Sequence, residues 1–216
     1  MARGFGFGLA LCAAALLAAD ALREAAQALE GDDFARAIPH LEAALEDDPA
    51  NVNARFNLAY ACQATGASEA AIRHYQVIAE QQPGLIPARQ NLATLLMQAD
   101  RFAEAAQQYE AISAARPQNL QALRLAALAH RRGGNAAAAA AAFRRVLELD
   151  GLSLDAMLGL AESLEELGQL HEAVPHYLRA MELDASAGDA LPGIAQRLEE
   201  SGSEQDALEI YRRYAR

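Results

Sequence analysis

The sequence predicts an all-α chain built as a stack of six helical hairpins, and three observations carry that prediction. A quarter of the residues are alanine, the residue with the highest intrinsic helix propensity. β-Branched residues never fall into the alternating apolar and polar runs that a half-buried strand needs. Above all, the chain repeats itself every 34 residues. Ala25, Ala59, Ala93, Ala127, Ala161 and Ala195 form one series at that spacing, and Ala37, Ala71, Ala105, Ala139, Ala173 and Ala207 form a second. Four residues after each member of the second series stands a large side chain: Leu41, Tyr75, Tyr109, Phe143, Tyr177 and Tyr211.

The elements follow in order from the N-terminus. Residues 1–19 carry one positive charge at Arg3, an apolar run from Phe5 to Leu17 and small residues before Asp20, the layout of a signal peptide. A cut after Ala19 would place Leu17 where a small residue is preferred, so an uncleaved anchor over residues 5–19 and an apolar cap helix of a cytoplasmic protein stay open. The run is also shorter than the roughly 20 residues that span a bilayer. Export, to a periplasmic setting, is the favoured expectation. Asp20 is expected as the N-cap of the first helix, so that the fold begins where such a leader would end.

Residues 20–216 then read as one repeat domain, with repeats at about 18–51, 52–85, 86–119, 120–153, 154–187 and 188–216. Two antiparallel helices approach to about 8 Å only where the side chains at their crossing are small, and the two alanine series supply one such residue from each helix. Leu58, Leu92, Leu160 and Ile194 on the first helices, with Ile78, Ile112 and Val146 on the second, fill the layer between hairpins. No hairpin buries its apolar faces alone, so stacking supplies the stability. Within repeats, Gly66, Asp100, Gly134, Gly168 and Gly202 mark the turns, with Ser68, Asn135 and Ser203 as capping residues. Between repeats, Pro49, Pro83 and Pro117 stop the second helix, and Gly151 and Ala185 take that place later. Ala136 to Ala142 is a helix-forming run, not a linker.

This pattern of helix, turn and helix over 34 residues, with Ala, then Tyr or Phe four residues on, then Pro eight residues later, resembles the tetratricopeptide repeat family. The likeness covers about residues 18–216 and implies a right-handed α-solenoid of six tandem helix-turn-helix repeats. The family's frequent Trp is replaced by Ala21, Arg55, Arg89, Leu123, Met157 and Leu191, and its usual first-helix Gly is Ala throughout.

The resemblance implies ligand binding on the concave side, lined by the first helix of each repeat. Along that side the expected character changes. Asn53, Phe56, Asn57, Tyr60 and Gln63, then Gln90, Asn91, Thr94 and Gln98, are polar and aromatic; Gln121, Arg124, Arg131 and Arg132 are basic; Asp155, Glu162, Glu165, Glu166, Glu199 and Glu200 are acidic. The candidate groove residues are therefore Asn53, Phe56, Asn57, Tyr60, Gln90, Asn91, Thr94, Arg124, Arg131 and Arg132. Asn57 and Asn91 are equivalent, and their amides could bond the backbone of an extended peptide. Leu125, Gly159 and Gly193 end that ladder. The arginines could hold a carboxylate bidentately. Chaperone-binding relatives hold a C-terminal carboxylate with a clamp containing Lys, and this chain has no Lys.

Charge narrows the partners. The formal charge is −11 and the pI about 4.9, which argues against nucleic acid and anionic lipid. No phosphate loop, nucleophile elbow or Cys/His cluster appears, so neither catalysis, a cofactor, a metal nor a small-molecule substrate is expected. His171 and His176 resemble a zinc-protease motif, but they lie five residues apart where one helical face needs four. His40, His74 and His176 share one repeat position and read as surface-facing, while Cys62 falls on an apolar stripe as a buried thiol. The expected function is a scaffold for a protein or peptide, in cell-envelope assembly. The alternatives are a cytosolic secretion chaperone and the recognition module of a larger enzyme such as a glycosyltransferase. Leu208, Tyr211 and Tyr214 on the last repeat suggest weak self-association.

Overall fold

The computed structural model describes residues 19–189 and 191–214, so the leader expected over residues 1–19, or anchor over residues 5–19, lies outside it except for Ala19. Among the described residues every regular element is a helix. In order they are α1 (19–30), α2 (Phe34–Asp47), α3 (Val52–Ala64), α4 (Ser68–Gln81), α5 (Ile86–Gln98), α6 (Phe102–Ala115), α7 (Leu120–Arg132), α8 (Ala136–Leu149), α9 (Leu154–Glu166), α10 (Leu170–Leu183), α11 (Leu191–Glu200) and α12 (Glu204–Tyr214). A 3-10 turn over Ala185–Gly188 precedes α11. No described helix is long and apolar enough to cross a membrane.

The chain divides into two compact units, residues 1–95 and 96–216, with the boundary inside α5. In the first unit α2 packs on α3 and α3 on α4, and Arg36 of α2 pairs with Glu24 of α1 at 3.0 Å. In the second unit each helix from α6 to α12 packs on the next, and α7 also touches α9. Both alanine series are at most 1 % exposed, as close helix crossings require. The core of the second unit gathers Leu123, Leu160, Leu164, Leu191, Ile194, Leu198 and Ile210 around Phe143 and Tyr177.

Every hairpin closes in the same way. One residue per repeat takes a left-handed backbone: Asp32 (φ 55°), Gly66 (81°), Asp100 (55°), Gly134 (73°), Gly168 (73°) and Gly202 (83°). The next residue's N–H then bonds five residues back, from Asp33 to the Ala28 carbonyl at 2.8 Å and from Ala67 to Cys62 at 2.8 Å, and so on through Ser203 to Leu198 at 2.8 Å. This satisfies a carbonyl that the helix end leaves open. The turn periodicity expected from Gly66 onward thus begins one repeat earlier, at Asp32. Asn51, Asn119 and Asn135 cap α3, α7 and α8, each accepting from the N–H three residues on.

Other expectations shift by a residue. Ser68 is the first residue of α4, and the capping position belongs to Ala67, which has no side-chain oxygen to offer. Asp20 already lies within α1 and pairs with Arg23 at 3.1 Å instead of capping. Pro49, Pro83 and Pro117 fall in turns as expected, whereas Pro175 sits inside a continuous α10. An interior proline removes one ladder bond, and the packed neighbours hold the helix through that loss. His40, His74 and His176 are half-buried, not surface-facing, because each precedes the large side chain that fills its hairpin. Burial is the main cause that lowers the pKa of His74 and His176, with Arg55 and Arg73 adding to it at His74, and Arg144 and Arg179 at His176. Cys62 is a buried free thiol whose pKa burial raises.

Candidate functional site

Each first helix presents a face at positions three and four residues apart, and such faces carry different residues in the two units.

In the first unit, Asn53 and Asn57 are exposed on α3, and Tyr60 is 47 % exposed beside them. Tyr60 meets Phe34 edge to face, with centroids 5.5 Å apart. Phe56 meets Tyr75 in the same way at 5.5 Å. Asn91 is not free to serve a peptide with its whole amide: its Nδ2 donates to the Tyr75 hydroxyl at 2.9 Å. Burial pushes the Tyr75 phenol up to about 12, against the lowering effect of that bond. Gln90 and Thr94 are exposed on α5, with the Thr94 hydroxyl donating back to the Gln90 carbonyl at 2.9 Å.

In the second unit, α7 and α9 line an open cavity of about 790 Å³. Leu125, Leu128, Leu158 and Phe143 form its apolar floor, and Gln121, Arg124, Arg131, Asp155 and Glu162 stand among its other walls. Phe143 reaches in from α8 and lays its ring on Gly159, where a Cβ would lie 2.3 Å from the ring tip. The charged walls are matched across the cavity: Arg124 with Asp155, and Arg131 with Glu162. Beyond them Glu165 accepts from the Tyr177 hydroxyl at 2.8 Å and pairs with Arg197. Burial, then the bond to Glu165, raises the Tyr177 pKa.

The structure therefore brings Arg124 and Arg131 together but not Arg132, which lies at the α6 and α7 ends with Asp100, Arg101, Phe102 and Glu104. Arg124 and Arg131 of the basic stretch, and Asp155 and Glu162 of the acidic one, are two walls that neutralise each other. The Arg side chains hold the chain's own carboxylates. The apolar floor was missed, although the change from Asn57 and Asn91 to Leu125 and Gly159 at one repeat position was its visible signal.

His171 enters no metal cluster among the described residues. Its Nδ1 pairs with Asp206 at 2.6 Å and its Nε2 lies 3.2 Å from Ser203 Oγ, tying α10 to the start of α12 at an exposed position. On α12, Leu208 and Tyr211 are exposed as expected, while the Tyr214 side chain lies outside the description.

Two tetratricopeptide repeat models match the chain, one over residues 28–84 and the other over residues 91–153 and 158–216. The chain belongs to the tetratricopeptide repeat family. Its role at the level of the family is that of a protein-interaction scaffold. Among solved structures it is similar to a MamA protein at 19 % identity, covering 77 % of this chain and 91 % of that one with a TM-score of 0.60. A MamA MSR-1 structure aligns at 21 % identity, 79 % and 98 % coverage and a TM-score of 0.59. MamA from residue 41 to the end, of Desulfovibrio magneticus RS-1, aligns at 18 %, 79 % and 96 %, with a TM-score of 0.57. At such identities the likeness speaks for the fold alone. No curated protein matches the sequence.

Proposed function

We propose that this chain is a non-catalytic interaction module that holds an extended segment of a partner protein in the cavity between α7 and α9. The observation that carries the reading is the cavity itself: about 790 Å³, built from first-helix residues of two adjacent repeats and Phe143 of α8, with an apolar floor and charged walls. Its size falls within the roughly 300–1,000 Å³ of typical ligand sites. The exposed Asn53, Asn57 and Tyr60 supply a second, amide-bearing stretch in the first unit. The apolar run Phe5 to Leu17 supports an exported setting, which N-terminal sequencing tests: a start at Asp20 agrees with it, and a retained Met1 counts against release.

A photo-crosslinking residue at Leu128, compared with one at the exposed Glu148 of α8, tests the site in native extracts. Partner adducts concentrated at position 128 support the reading, and equal or greater labelling at 148 removes it. Arg131→Glu sets a second carboxylate against Glu162, and weaker capture at low salt is the expected result.

A further inference from the structure

We infer that the cavity between α7 and α9 selects a partner segment by one or two large, uncharged apolar side chains, and that Gly159 is the residue that sets this selectivity. The inference rests on the groove reading above and adds to it the chemistry of the ligand.

Tyr75 and Phe143 each meet the residue sixteen positions further on. Sixteen residues after Tyr75 comes Asn91, whose amide bonds the phenol. Sixteen residues after Phe143 comes Gly159. Here the ring has no hydroxyl to satisfy and the partner has no side chain, so the ring tip lies on the helix backbone, in a place that even one added carbon would contest at 2.3 Å. The Phe143 ring thus occupies the place that the Asn91 amide takes in the first unit, and beside it the cavity is lined by Leu125, Leu128 and Leu158. A polar ligand group placed there would leave water for a floor offering it no hydrogen bond.

The charges on the walls favour the same ligand. Each cation on the walls already has an anion: Arg124 with Asp155, Arg131 with Glu162. The two pairs stand seven residues apart on both helices, about 10 Å along the axis, and so flank the apolar floor. A ligand carboxylate that took Arg131 would strand Glu162, and a ligand cation that took Glu162 would strand Arg131. Such an exchange gains little, whereas an apolar side chain leaves both pairs intact and removes its own surface from water. The rim is complementary to a segment that is neutral at its anchor.

Methyl-resolved NMR of the full chain, titrated with the capped tripeptides acetyl-Ala-Phe-Ala-amide, acetyl-Ala-Glu-Ala-amide and acetyl-Ala-Arg-Ala-amide, tests this. The Phe peptide should shift the methyls of Leu125, Leu128 and Leu158 saturably and bind at least about tenfold tighter than the other two. Gly159→Asn, which installs the residue found at positions 57 and 91, should weaken the Phe peptide at least about fivefold. Leu128→Gln, which leaves Gly159 and Phe143 untouched, should do the same and decides the matter if Gly159→Asn fails to fold. Equal or tighter binding of the Glu or Arg peptide at the same methyls overturns the inference and leaves the groove reading standing. Full affinity for the Phe peptide in a folded Gly159→Asn variant removes Gly159 from its role. If none of the three peptides shifts those methyls, both the inference and the groove reading fall.

Discussion

In the first unit Arg55 and Arg89 reach back to the carbonyls of Pro49 at 2.6 Å and Pro83 at 2.9 Å, whereas in the second unit Leu123, Met157 and Leu191 fill the equivalent positions and are at most 2 % exposed. One place in the repeat is thus closed by a polar strap in one region and by apolar packing in the other. The groove face shows the same divide, with the Asn91 amide on Tyr75 in the first unit and bare Gly159 under Phe143 in the second. The divide separates the compulsory parts of the 34-residue period from the variable ones. The alanines at the crossings and the left-handed turn residue recur in both units without exception, because backbones cannot approach or reverse otherwise. Positions that merely fill volume or face the groove are free to change chemistry, and specificity is written there.

The contrast can be broken most easily in the core. Met157→Ala and Leu123→Ala should each cost about 2–5 kcal/mol in urea unfolding, by lost burial and the cavity left behind. Arg55→Ala or Arg89→Ala should cost only about 1 kcal/mol, since these half-buried straps are partly hydrated. If the arginine variants cost as much as Met157→Ala, the two solutions are energetically equivalent and the contrast is one of chemistry alone.

A smaller effect belongs to the amide in the first unit. Asn91→Ala and Tyr75→Phe should each lose about 1 kcal/mol, and the double variant should lose little more than either, because both remove one bond. Additive losses would show that the bond contributes nothing.

Acid should act on both units alike, since His74 lies in one and His176 in the other. Both are held below the ordinary histidine value of about 6.5 by burial, so between the lowered folded pKa and that value the unfolded chain binds more protons. Their stabilisation is therefore complete above about pH 6.5 and is lost as pH falls through the folded values. Melting followed from pH 7 to pH 5 should show decreasing stability, and His74→Gln with His176→Gln should flatten that slope.

The turns offer the smallest change. Asp100→Gly should raise stability by up to about 1 kcal/mol, because glycine adopts φ 55° without the cost a side chain imposes. Gly134→Ala, at φ 73°, should lower it by about the same amount.

The compulsory parts of the repeat were legible in the sequence because sterics leave them no alternative: both alanine series, the aromatic row and the turn glycines fall where the spacing puts them. The site was half legible. Phe56, Tyr60, Arg124 and Arg131 were placed on the right helices, but their partners were not, since pairing across the cavity depends on how α7 lies against α9 and not on spacing within either. Arg132 follows Arg131 by one residue and thereby turns about 100° away along the helix, out of the cavity. Asp32 was legible by the same spacing, since it stands 34 residues before Gly66 and takes the same φ of 55° as Asp100.

The uniform closure of the hairpins carries a practical lesson for protein engineering. Since each one reverses on a left-handed residue followed by a bond reaching five positions back, the turns inside the hairpins are interchangeable parts. Exchanging residues 65–67 with residues 167–169 should therefore leave both hairpins closed.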